Sequence, residues 1–430
     1  MPSDMLAVPS AGTGKLFRHQ PFLCFVVGRG FSSTAYQIAA VAVGWQVYAL
    51  THSAFYLGMI GLVQFLPAAG LTFIAGHAAD RYERKRVVQI CQFAEGAVAV
   101  FLALGSFGGW INVTEIFGAV VVLSVARSFE SPAMSALISG VVPTGMLQKG
   151  MAVSSGVFQT ATIVAPALGG LIYALSPGLP YAVMAGCWLL ACVANGVMRL
   201  DRPVAAKEPP TLGSLFAGVG FVRHNPSILG TISLDLFAVL LGGATALLPI
   251  YARDILHTGP WGLGVLRGAP AVGALLMTAL LARRPISRRV GMRMFQAVIV
   301  FGIATIIFGL SHLVWLSLLA LGVMGAADTV SVVIRGSLLQ LGTPPEMRGR
   351  VSAVNSLFIG ASNELGEFES GLTAQWWGAV RATVVGGVGA LAVAGIWAAA
   401  FPGLRRADEL TAEALRADSD RALGQADSHG

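Results

Sequence analysis

The stretch Gly76-His77-Ala78-Ala79-Asp80-Arg81-Tyr82-Glu83-Arg84-Lys85-Arg86 separates two long apolar runs, and the organisation of the whole chain follows from it. Four of its residues, Arg81, Arg84, Lys85 and Arg86, are cationic. Cationic residues at the ends of membrane spans stay on the cytoplasmic side, so the stretch reads as a short cytoplasmic loop between two spans. Of the 430 residues, 55% are hydrophobic and only 11% are charged. A single soluble core cannot hide that much apolar surface, so the solvent of most of the chain is lipid.

A span needs about 20 mostly apolar residues. Twelve such runs are predicted, near 22–49, 54–76, 87–107, 114–138, 151–175, 179–199, 227–251, 261–282, 292–311, 313–336, 351–376 and 380–400. The fold class expected is therefore an all-α membrane protein with twelve transmembrane helices. The net charge of +7 admits a nucleic-acid partner in principle, and the positions of the charges exclude it. Twenty-two of the 28 lysines and arginines fall on one side of this arrangement; Arg253 and Arg381 fall on the other, and Arg29, Arg127, Arg267 and Arg335 lie within spans. That is the positive-inside pattern with both termini cytoplasmic. Cys24, Cys91, Cys187 and Cys192 lie in apolar runs without metal-like spacing and read as packing residues.

The chain also repeats itself. Arg18-His19-Gln20-Pro21 recurs as Arg223-His224-Asn225-Pro226, displaced by 205 positions. Leu66-Pro67-Ala68-Ala69-Gly70 recurs as Ala269-Pro270-Ala271-Val272-Gly273, and Pro143, Met146, Lys149 and Ser155 recur as Pro344, Met347, Arg350 and Ser356. Six spans per half, an even number, give both halves the same orientation, so these are two six-helix parallel repeats about an axis along the membrane normal. The predicted units are an N-terminal lobe over 1–200, a cytoplasmic linker over 201–225, a C-terminal lobe over 226–401 and a cytoplasmic tail over 402–430.

On these residues the chain resembles the major facilitator superfamily. Gly76, Asp80, Arg81, Arg84 and Lys85 match the signature Gly-x-x-x-Asp-Arg-x-Gly-Arg-Arg between the second and third helices, with Glu83 in place of its second glycine. Ala165-Pro166-Ala167-Leu168-Gly169-Gly170 is similar to the antiporter motif Gly-Pro-x-x-Gly-Gly, with Ala165 in place of its first glycine. Leu234 to Gly243, Leu247 to Asp254, and Arg348 through Gly371 resemble the siderophore-exporter branch of that superfamily. The resemblance implies export of a small organic solute, siderophore-like or otherwise amphipathic, by proton antiport across a bacterial inner membrane. No cofactor is implied beyond the proton gradient, and the expected form is a monomer. The alternatives are a multidrug efflux carrier and a membrane-embedded receptor that binds without transport. An enzyme is not expected: no phosphate loop, metal cluster or nucleophile and base pair stands out.

Charges inside spans are the most informative residues, because each costs about 2.5–3.5 kcal/mol at a helix centre on insertion scales unless paired or wet. Arg29, Arg127, Arg267 and Arg335 face Glu95, Glu130, Asp235, Asp328, Glu364, Glu367 and Glu369, which leaves three carboxylates over. The substrate and proton-coupling candidates are Arg29, Arg127, Glu130, Asp235, Asp328, Arg335, Asn363, Glu364 and Glu367. Arg127 and Glu130, three apart, share a helix face and read either as coupling residues or as a buried pair fixing helix register. Arg127 also falls at the position of the superfamily's fourth-helix arginine, which the resemblance connects with proton coupling. Glu364 and Glu367 are expected to meet Arg127 or Arg335 during a cycle, and Glu369 to point away. Asp80 is expected to face the start of the eleventh span near Val351, with Gly76, Arg81, Arg84 and Lys85 completing a gating loop; a purely topogenic role for the arginines is the competing view. Pro166, Gly169 and Gly170 are expected to kink and pack the fifth span.

Single cysteines at Lys207 and His257, in a chain lacking the native four, are expected to react with an impermeant thiol reagent from opposite sides of the membrane. Labelling from one side alone would refute the topology.

Overall fold

The computed structural model describes residues 16–143, 145–198, 212–286 and 288–406. The first half consists of α1 (Gln20–Thr51), α2 (Ala54–Arg81), α3 (Arg84–Gly108), α4 (Val113–Val141), α5 (Leu147–Leu175) and α6 (Leu179–Val197). A connecting helix, α7 (Leu212–His224), leads into α8 (Pro226–Leu241), α9 (Gly259–Arg283), α10 (Val290–Leu310), α11 (Val314–Gly342), α12 (Arg348–Trp377), α13 (Ala379–Ala400) and the short α14 (Pro402–Arg406). Large apolar side chains such as Ile90, Leu175, Leu276 and Trp315 are exposed, as a bilayer requires. Among the described residues nine helical stretches are long and apolar enough to cross a membrane by length and composition. The long helices that miss that standard, α1, α4 and α12, bring polar side chains to the centre of the bundle.

The repeats of sequence are repeats of structure. Pro21 and Pro226 each sit in the first turn of a helix, where a missing N–H costs nothing. Pro67 and Pro270 lie inside the equivalent helices α2 and α9, where each removes a backbone hydrogen bond.

Two expectations need correction. The basic stretch is not an eleven-residue loop: α2 runs to Arg81 and α3 begins at Arg84, so only Tyr82 and Glu83 lie outside helix. Ala75, Ala78 and Ala79 are strong helix formers, and nothing at a membrane surface obliges a helix to stop. Glu83 has φ −62°, a conformation that needs no glycine, which accounts for glutamate at that position. The surroundings of Gly76 and the side chain of Asp80, and with it the expected contact of Asp80 near Val351, lie outside what is described. The seventh span, expected to be continuous over 227–251, is broken. After Leu241 the chain passes through Gly242 and Gly243 into a 3-10 turn (Ala244–Leu247), a short α turn (Leu248–Ile250) and a π turn (Tyr251–Ile255). Paired glycines weaken a helix, and here they admit neighbours: a Cβ on Gly243 would lie 2.5 Å from the Gly366 carbonyl oxygen of α12.

The two lobes meet along two seams related by the repeat, α2 against α12 and α9 against α5. In lipid no hydrophobic force draws helices together, so close backbone packing must do so. A Cβ on Gly58 would lie 2.9 Å from Gly371 Cα, and one on Gly61 would lie 2.5 Å from the Glu364 carbonyl oxygen. On the other seam, Gly170 abuts the Pro260 carbonyl and Gly264 the Pro166 carbonyl, each too close for any side chain. These contacts lie toward the end remote from α7. Tyr48 there donates a hydrogen bond to Asp254 of the opposite lobe, and Ser53 Oγ donates to Gln375 Oε1 at 2.9 Å. Nearer the linker the seams part: Gly360, one turn from Glu364, meets nothing among the described residues, and Ser356 and its repeat counterpart Ser155 are exposed. The bundle is therefore closed at the remote end and cleft toward α7.

Cysteines replacing Ser53 and Gln375, in a chain lacking the native four, are expected to be joined efficiently by a short bifunctional thiol reagent. Adding Gly58→Leu should reduce that joining several-fold, because the α2–α12 seam can no longer close. Equal joining with and without Gly58→Leu would show that the glycine contact does not hold the seam.

Candidate functional site

A cavity of about 250 Å³ lies between the lobes, bounded by α1, α2, α3, α4 and α6 on one side and by Pro249, Arg267, Glu364 and Glu367 on the other. Its polar members arise on helices whose remaining faces are apolar, so each is placed by packing.

On the first lobe Arg127 Nη1 donates to Glu130 Oε2 at 3.0 Å. Glu130 is almost fully buried, and its other oxygen accepts from Ser32 Oγ at 2.7 Å and Gln92 Nε2 at 2.9 Å. Asn195 Nδ2 donates to Gln92 Oε1 at 2.9 Å, so one network ties α1, α3, α4 and α6 together. Arg127 also lies over the Tyr36 ring, 4.5 Å from its centroid, and exposes part of its side chain to the cavity. A buried carboxylate paired with a cation and hydrogen-bonded on both oxygens, as Glu130 is, is the form in which such a charge is tolerated. Arg29 lies over Phe158, 5.7 Å from the ring centroid, one turn before Ser32.

On the second lobe Glu364 and Glu367 lie one turn apart on α12 and both line the cavity, with Arg267 of α9 as the cation whose field acts on them. Glu367 also lines a second cavity of about 230 Å³ within that lobe, together with Asn363 and Asp328. Glu364 Oε2 is buried without a hydrogen-bond partner. The cavity lining on this side thus holds two carboxylates and one guanidinium, a set that a single proton makes neutral.

The sequence profile described as Major Facilitator Superfamily matches residues 25–367. The chain belongs to that superfamily. It is 25% identical over 376 residues, 86% of each chain, to proteins named enterobactin exporter EntS from Citrobacter koseri and Escherichia coli. Its fold matches a bacterial homologue of the human lysosomal transporter Spinster, solved in an inward-facing and occupied conformation, with a TM-score of 0.72 at 13% identity, covering 89% of this chain and 97% of that one. It matches a peptide transporter with a TM-score of 0.71 at 12% identity, covering 90% and 95%. This is a multi-pass membrane transporter.

Within this superfamily fold the candidate residues separate into groups. Arg127, Glu364 and Glu367 line the central cavity, with Glu130 and Arg29 close behind the first. Asn363 and Asp328 line the smaller cavity. Asp235 and Arg335 stand apart as a buried ion pair between α8 and α11, joined by Ser331 Oγ at 3.4 Å from Asp235 Oδ1. The expectation that Arg335 would serve Glu364 or Glu367 is therefore corrected: its charge is taken by Asp235, and Arg267 occupies the place foreseen for it. Pro166 lies inside α5; a Cβ on Gly169 would lie 3.2 Å from Ile38 Cα, and Gly170 is on the α9 seam. Lys85 Nζ donates to the Met198 carbonyl at 2.7 Å, tying α3 to the end of α6. Arg267 and Glu95 were not singled out by spacing, because the charges nearest to each lie on other helices. The excess of acids over cations was the one sequence signal that included them.

Removing one member of a buried ion pair strands the other and costs about 3–5 kcal/mol, while replacing both can be neutral. Arg335→Met is therefore expected to lower the thermal midpoint of the purified protein strongly, and the double variant Asp235→Leu with Arg335→Met to recover most of the loss. A double variant no more stable than Arg335→Met alone would show that the pair is not the reason for the loss.

Proposed function

We propose that this chain exports a small amphipathic organic solute from a bacterial cytoplasm, across the inner membrane, in exchange for protons. The single observation that carries the proposal is the placement of Glu364 and Glu367 beside Arg267 on the face of α12 that α2 covers at Gly61. Relatives named enterobactin exporters support export and a siderophore-like cargo, and the match to an inward-facing transporter supports a cleft that opens on the cytoplasm. In this reading α7 and both termini are cytoplasmic, and rocking of the lobes opens the seams at the remote end while closing the cleft.

Coupling then follows from charge. Two carboxylates and one guanidinium carry one excess negative charge, and a charge without a partner is costly wherever water is excluded. Opening the α2–α12 seam uncovers this face of α12 to the outside, where protons are abundant. Closing it again is cheapest with one proton aboard. With the cleft open to the cytoplasm the carboxylates can be wetted, the proton leaves, and cargo enters. Asp328 and Asn363, beside Glu367 in the smaller cavity, extend the polar path into the second lobe.

Enterobactin accumulation in inverted membrane vesicles under an imposed proton gradient tests the proposal. Glu364→Gln or Glu367→Gln keeps shape and removes titration, so at least one should abolish gradient-driven accumulation while counterflow exchange persists. Normal accumulation in both variants would remove the coupling role from α12.

A further inference from the structure

Glu95 of α3 is not used by the coupling just described. It is 2% exposed, it lines the central cavity, and its Oε2 has no hydrogen-bond partner. The nearest charges are Glu130 and Arg127, which already neutralise each other at 3.0 Å. Arg267 lies with Glu364 and Glu367 in the opposite lobe. Arg29, the other cation within the spans of the first lobe, lies by Arg127 and Glu130 and not by Glu95, so among the described residues no cation is paired with Glu95.

A second buried polar atom belongs to the same cavity. Trp188 of α6 lines it, and its Nε1 has no acceptor. Leu57, Ile60, Val120 and Leu123 supply apolar surface to the same cavity. Leaving a buried carboxylate and an indole N–H unpaired is expensive. A bound molecule bringing positive charge to the carboxylate and an oxygen acceptor to the indole would remove both costs.

We propose that Glu95 is a cargo-recognition residue, forming with Trp188 and the adjoining apolar wall a subsite for an organic cation or the cationic group of a zwitterionic amphipath. The proposal deepens the transport reading and rests on the central cavity being the cargo site. It places cargo recognition on the first lobe and proton exchange on the second, so the two charges are taken up on opposite sides of the rocking interface.

The test is equilibrium binding to the purified full-length protein in detergent, where no gradient is present. The probe is radiolabelled 1-methyl-4-phenylpyridinium, a compact aromatic cation whose charge does not change with pH, with uncharged 4-methylbiphenyl as competitor. Wild-type protein is expected to bind the cation, and the biphenyl is expected not to displace it. Glu95→Gln should weaken binding at least about tenfold, as expected when one partner of a buried charge pair is removed, while Glu95→Asp, which keeps the charge, retains it. No binding by wild type, displacement by the uncharged isostere, or unchanged binding in Glu95→Gln would overturn the proposal. The wild-type competition needs no variant to fold. Failure of proton coupling in vesicles would leave this binding intact, so the two readings fall separately.

Discussion

A carboxylate in the middle of a bilayer must be paired, wet or protonated, and the placement of the buried acids in this chain shows each helix answering that demand. Glu130 is paired and saturated by α1, α3 and α4. Asp235 is paired across α8 and α11. Glu364 and Glu367 share one cation, and Glu95 has none. The first two solutions are static and hold a lobe together. Glu95, Glu364 and Glu367 face the space between the lobes, where their surroundings depend on how the lobes meet.

The separation also bears on why α1, α4 and α12 are the long helices that composition alone does not mark as spans. A helix that closes a cavity on one side and meets lipid or protein on the other can carry polar groups on a narrow stripe without losing its place in the membrane. For Glu130 the cost is met by partners from other helices.

Much of this was legible in the sequence. The spans and the repeat are local or periodic signals, and they survive in the structure to within a few residues at most boundaries. The continuation of α2 to Arg81 was missed because basic residues mark a membrane surface, not the end of a helix. The break after Leu241 was missed because hydropathy does not distinguish a continuous helix from one interrupted at Gly242 and Gly243. The pairing of Asp235 with Arg335, a hundred residues away, and the meeting of Arg267 with Glu364 and Glu367 depend on which helices become neighbours. Spacing along one helix cannot reveal that, whereas the Arg127–Glu130 pair, lying within one turn, could be read directly.

The glycine seams have a consequence for how the lobes can move. Attraction between closely packed atoms has a range of only an ångström or so: a gap of 0.5–1 Å already forfeits about a quarter to a half of it. Backbones that touch at Gly58 and Gly371, or at Gly170 and Pro260, therefore lose their hold within the first small displacement. No restoring force follows them further. The interface behaves as a detent, not a spring, so partly open arrangements have little to stabilise them. A carrier built in this way spends its time at the ends of its stroke, which limits the moments when a continuous path for ions could exist through the membrane.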